Sequence, residues 1–144
     1  MNAVKSDALL TSVKQLRDTL ASESRDDPWA DAVHFALGRV AAAIQAEVQT
    51  SERARANVGE INPDFRDSPN AARHVNDMRE HWIQLGEQVH QLRAGLRSAR
   101  DEQRLDAHLL RADCEALAQA IEKVRRTESE FLLNTLNSNP GAGE

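Results

Sequence analysis

Two glutamates and a histidine stand on or beside faces that otherwise read as apolar. The stripe Val33, Leu37, Val40, Ile44 continues by its own spacing to Glu47, then to Ser51, Ala54 and Val58. The stripe Cys114, Leu117, Ile121, Val124 resumes only at Phe131 and Thr135, and Glu128 fills the gap. His81 lies at the edge of a third stripe, three residues after Met78 and four before Leu85. A carboxylate on an inward face is costly unless it is neutralised, paired with a cation or bound to metal. Glu and His projecting inward from facing helices are how bundle proteins hold iron and manganese. Glu47, His81 and Glu128 are therefore the candidate metal ligands. The competing reading pairs the glutamates with an arginine at the bundle edge, where Arg53, Arg55, Arg125 and Arg126 are near in sequence. It leaves His81 solvated or bonded to a neighbouring helix.

Four helices must carry these residues. Apolar spacing by threes and fours predicts helices over about 4–22, 28–58, 69–98 and 104–136. The first presents Leu9, Val13, Leu16 and Leu20, and the third is the most regular, with Val75, Met78, Trp82, Leu85, Val89, Leu92 and Leu96. Asp26-Asp27-Pro28 and Ser68-Pro69 are helix starts, a capping residue followed by proline in the first turn. Gly59 to Pro69 reads as a loop, and Ser98 to Arg104 as a softer break without glycine or proline. The expected fold is all-α, an up-and-down four-helix bundle in one domain over 1–136, followed by a disordered tail at 137–144. Height along an antiparallel pair then follows from sequence position. Glu47 and His81 are equidistant from residue 64, in the middle of the predicted loop. His81 and Val124 straddle the softer break, with Glu128 one turn further on.

Composition narrows the classes. Apolar residues make up 40% and charged residues 28% of 144, the balance of a globular chain. There is no Tyr, with three Phe and two Trp, which argues against a β-rich core. No apolar run approaches a bilayer span and the N-terminus lacks a signal-peptide core, so no membrane association and a cytoplasmic location are expected. A net charge of −5 disfavours nucleic acid as a partner. Arg93, Arg97, Arg100 and Arg104 share a helical face but alternate with acids, which predicts a solvated, salt-bridged surface. The single cysteine, Cys114, provides no disulfide framework and reads as a small core residue, with Trp29 and Trp82 as core anchors.

The ligand positions carry a resemblance. Met78 to Leu85 (MREHWIQL) resembles the third-helix motif of hemerythrin-like cation-binding domains, a Glu-His pair within a leucine ladder. Ile121 to Leu133 (IEKVRRTESEFLL) is similar to that family's last helix, Ile44 to Glu52 (IQAEVQTSE) to its second and Leu9 to Leu20 to its first. The resemblance implies a hemerythrin-like bundle. Position by position, His81 matches the third-helix histidine and Glu128 the last-helix carboxylate. The first-helix histidine falls on Val13, the last-helix histidine on Val124, and the second-helix pair on Glu47 and Ser51, with Glu52 beside it. That set is too small for oxygen-carrying di-iron chemistry. It implies a divergent member with a depleted or lost metal site, holding at most one iron or other divalent metal ion and otherwise no cofactor.

Other constellations are weaker. His108 and Asp113 have a His-x4-Asp spacing used by marine hemerythrins, but near the start of the last helix. His34-Phe35-Ala36-Leu37-Gly38 has the His-to-Gly spacing of histidine phosphotransfer domains, without their intervening lysine. No phosphate loop, nucleophile elbow or two-His metalloprotease motif is present, and no enzymatic activity is expected. The alternative to the metal-binding reading is a non-enzymatic interaction or dimerisation bundle, working as a homodimer or with another protein.

Overall fold

The computed structural model describes residues 7–22, 27–61 and 69–138, and side-chain surroundings for 7–22, 27–53 and 73–131. The chain forms helices α1 (Ala8–Leu20), α2 (Asp27–Ile61), α3 (Pro69–Asp101) and α4 (Ala107–Ser138). Sequential neighbours pack together and α4 closes back on α1, which makes a four-helix bundle. Interhelical ion pairs fix the directions. Arg79 reaches Glu52 at one end of the α2/α3 pair, and Arg100 reaches Asp31 at the other, so these helices are antiparallel. On α1 and α4, Arg17 meets Glu115 and Glu122 while Asp7 meets Arg125, which is again antiparallel.

Local chemistry sets the helix ends. Asp7 caps α1, its Oδ1 accepting from the backbone N–H of Leu9 at 3.0 Å and Leu10 at 3.2 Å. Asp106 plays the same part for α4, accepting from Leu109 N at 3.1 Å. The soft break expected after Ser98 closes three residues later. Gln103 takes a left-handed conformation (φ 56°), the Arg104 N–H donates to Ala99 O at 2.8 Å and the Gln103 N–H to Arg100 O at 3.1 Å. That is a Schellman stop with glutamine at the position usually held by glycine. It moves the start of α4 from the expected 104 to Ala107. α2 runs through Gly59 to Ile61, past the expected end at 58, and α4 extends two residues beyond 136 to Ser138. The expected start of the first helix at 4, most of the predicted loop (62–68) and most of the tail (139–144) lie outside the described residues.

The stripes read from the sequence form the core. Leu16, Val33, Leu37, Val40, Trp82, Val89, Cys114 and Ile121 are all fully buried. Each large apolar side chain so buried contributes about 1.5–3 kcal/mol, which is what holds helices whose propensities alone are marginal. The Trp29 indole N–H donates to Thr19 O at 3.0 Å, fastening the end of α1 to the start of α2. The helices are unequal: α1 has 13 residues and the others 32 to 35. At 1.5 Å per residue, α1 walls only about 20 Å of a bundle roughly 50 Å long. Its first turn, capped by Asp7, marks the level at which α1 begins. No helix among the described residues is long and apolar enough to cross a membrane.

Candidate functional site: an arginine among three carboxylates

Glu47 and Glu128 do come together, at the level where α1 begins. What joins them is the guanidinium of Arg125. Its Nη1 donates to Glu47 Oε1 at 2.9 Å and to Glu128 Oε1 at 2.7 Å. Its Nη2 donates to Glu47 Oε2 at 2.8 Å and to Asp7 Oδ1 at 3.1 Å. Nε lies 3.0 Å from Asp7 Oδ2, an ion-pair contact without hydrogen-bond alignment. The Glu47 pairing is bidentate, the strongest geometry a guanidinium offers a carboxylate. Asp7 has two tasks, since the oxygen that caps α1 also accepts from Arg125. The guanidinium lies 5.4 Å above the ring centre of Trp82, which is fully buried. Four elements thus meet on one cation: the α1 cap, α2, the α3 tryptophan and α4.

The electrostatics favour the charged arginine. Burial works against its charge, but the hydrogen bonds it donates to Glu47 and Glu128 and the charges of Glu47 and Asp7 outweigh it, and its pKa is raised above the ordinary arginine range. The Arg125 side chain keeps 19% exposure, against 22% for Glu47, 23% for Glu128 and 32% for Asp7. Arg125 Nε is fully buried, while the rest of the cluster keeps an edge toward solvent.

His81 is not brought to this level's interior. It is exposed, one residue round the helix from Trp82, beside a groove of about 270 Å³ between α3 and α4. That groove is lined by Met78, Leu85, Val124 and Lys123 among others, and by no carboxylate. The imidazole that feels Glu128 is instead His74, stacked on Phe131 with ring centres 3.6 Å apart. Burial holds its pKa below the ordinary histidine value; Asp77 and Glu128 pull the other way. As arranged, Glu47, His81 and Glu128 do not fit a shared metal ion, because a protein cation stands between the two carboxylates and the histidine faces away. Among the described residues no group of three or more His, Cys, Asp or Glu side chains is disposed around a metal position. His108 is exposed beside a groove with Arg17 and Arg111, and Asp113 is exposed on the same helix.

The arginine run at the end of α3 and in the stop after it also differs from expectation. Arg100 pairs with Asp31 and Arg104 with Glu102, as a salt-bridged surface requires. Arg93 and Arg97 have no ion-pair partner among the described residues, and Arg93 is half-buried against Gly38 of α2. Two signals for the Arg125 cluster are present in the sequence. Arg125 lies three residues before Glu128, a spacing that juxtaposes side chains on a helix, and Asp7 precedes the first apolar stripe as a cap should.

Fold and site together define an all-α four-helix bundle with a buried-edge arginine bound by carboxylates from three helical segments. No family model, curated protein or solved structure matches the chain.

Proposed function

We propose that this chain is a non-enzymatic helical-bundle interaction module of hemerythrin-like build, in which Arg125 takes the place of a metal ion. One observation carries the reading. Arg125 occupies both carboxylate oxygens of Glu47 and one oxygen of Glu128, two acidic residues at positions that the resemblance assigns to metal. A fixed guanidinium supplies the charge that inward carboxylates need and holds the helices in register, with no exchangeable ligand and no open coordination position. A bundle closed in this way acts through its outer surface, as a homodimer or with another protein. Phe35 on α2, 65% exposed with Arg39 above its ring at 6.0 Å, is an apolar group left on that surface.

The test is elemental analysis of protein expressed in iron-, manganese- and zinc-supplemented medium, beside Arg125→Met and His81→Ala. The wild-type chain should carry far less than one equivalent of any of these metals, and His81→Ala should match it in metal content and stability. Near-stoichiometric metal that His81→Ala loses would overturn the reading and establish a reduced metal site.

A further inference from the structure

At the end of the bundle opposite Arg125, a cavity of about 650 Å³ opens between the start of α2 and the end of α3. His34 and Arg97 both line it. One turn along α2 from His34 is Gly38, and one turn before Arg97 on α3 is Arg93. A Cβ at 38 would come within 3.0 Å of Arg93 Nη2, so that guanidinium lies directly against α2 at the glycine. Arg93 Nε is buried there without an acceptor. The acidic residues at the cavity are Asp27, Asp31 and Asp101. Arg100 holds the first two, pairing with Asp31 and standing 3.7 Å from Asp27, while Asp101 is exposed at the helix end. Leu105 and Ala107, which line the cavity from the following segment, carry no charge. His34 and Arg97 therefore line open space, with the Arg93 guanidinium, which has no ion-pair partner among the described residues, packed against Gly38 one turn away, and Arg100 paired with Asp31 beside Asp27.

We propose that His34, Arg93 and Arg97 form a phosphate-oxyanion site, which takes free phosphate or a phosphate monoester between α2 and α3. This goes beyond the Arg125 reading and does not depend on it. A dianion with several acceptor oxygens can bridge two guanidiniums, which a monovalent halide cannot. The cavity has room for an organic remainder beyond the phosphate itself. The field at His34 agrees with the geometry. Burial holds its pKa below the ordinary value, and Arg93 and Arg97 push it further the same way. A bound dianion offsets both arginines and lets the imidazole donate a third hydrogen bond.

The experiment is an NMR titration of the histidine ring signals, with His34→Asn identifying the His34 resonance. Inorganic phosphate and phenyl phosphate are the probes, each compared with sodium chloride at equal ionic strength. A saturable shift confined to His34 among the five histidines is expected. Arg93→Gln/Arg97→Gln should weaken it by at least about tenfold. Arg97→Gln alone, at an exposed position, tests the same point should the double variant fail to fold. Tighter binding of phenyl phosphate would assign the site to monoesters, and equal binding to free phosphate. No saturable shift at His34, a shift shared by exposed His81 and His90, or equal affinity in the arginine variants would overturn the proposal.

Discussion

Replacing Arg125 with methionine keeps an unbranched apolar stem and removes the guanidinium. Four hydrogen bonds disappear, and Asp7, Glu47 and Glu128 are left facing one another without their cation. Removing one partner from a fully buried ion pair costs about 3–5 kcal/mol, mostly as the penalty on the charge left behind. Here the carboxylates keep between 22% and 32% exposure, so solvent screens part of that penalty. About 2–3 kcal/mol remains. For a chain of this length that is a fall in Tm of about 6–12 °C. Thermal melts followed by circular dichroism at neutral pH measure it directly. Glu47→Gln/Arg125→Met/Glu128→Gln should regain part of the loss, since it removes two of the stranded charges along with the cation. Arg125→Met melting within about 2 °C of wild type, which corresponds to less than 1 kcal/mol, would refute the reasoning. The cluster would then be a surface ion pair of little consequence.

Three further outcomes follow from other parts of the fold. Gln103→Gly should stabilise the chain by about 1 kcal/mol, because it relieves a left-handed glutamine at the Schellman stop; an unchanged urea midpoint would contradict that. Cys114 is fully buried, and burial, with the nearby Asp113 charge, pushes its thiol up to about 12. It should not react with a disulfide reagent at pH 8 until the protein is unfolded, and prompt reaction in the native state would show that the core there is open. Hydrogen bonding to Arg17 holds the Glu115 carboxyl below the ordinary carboxylate value. A depressed folded-state pKa means stabilisation that is present above the unfolded value of about 4.3 and lost as pH falls through the folded one. The stability gap between wild type and Arg17→Met should therefore close at acidic pH, and a gap of equal size at pH 7 and pH 3 would contradict the coupling.

Much of this architecture was legible from apolar spacing. Leu9, Val13, Leu16 and Leu20, or Val33, Leu37, Val40 and Ile44, can be read as faces because a buried helix stripe repeats by threes and fours, and all eight are buried. The common level of Glu47 and Glu128 was legible too, because height in an antiparallel pair follows from distance to the turn. Which cation meets them was not. Arg53, Arg55, Arg125 and Arg126 are all near in sequence, and neighbouring residues differ by about 100° around a helix, from the 3.6-residue turn. A stripe does not fix rotation that finely. The same angle separates His81, which is exposed, from Trp82, which is fully buried. Arg93 escaped notice for a different reason. Its i,i+4 spacing with Arg97 matches a solvated face, whereas its side chain lies half-buried against Gly38 of another helix.

Manganese provides the most direct test of the central claim, because Trp82 lies beneath Arg125 whereas Trp29 is bonded to Thr19 at the other end of α1. The two indole N–H signals of nitrogen-15-labelled protein report on the two places separately. With one equivalent of Mn²⁺ added, both signals should keep their intensity in wild type, because the carboxylates around Trp82 already hold a guanidinium. Selective loss of the Trp82 signal, with Trp29 unaffected, would show a metal ion at that level and contradict the account.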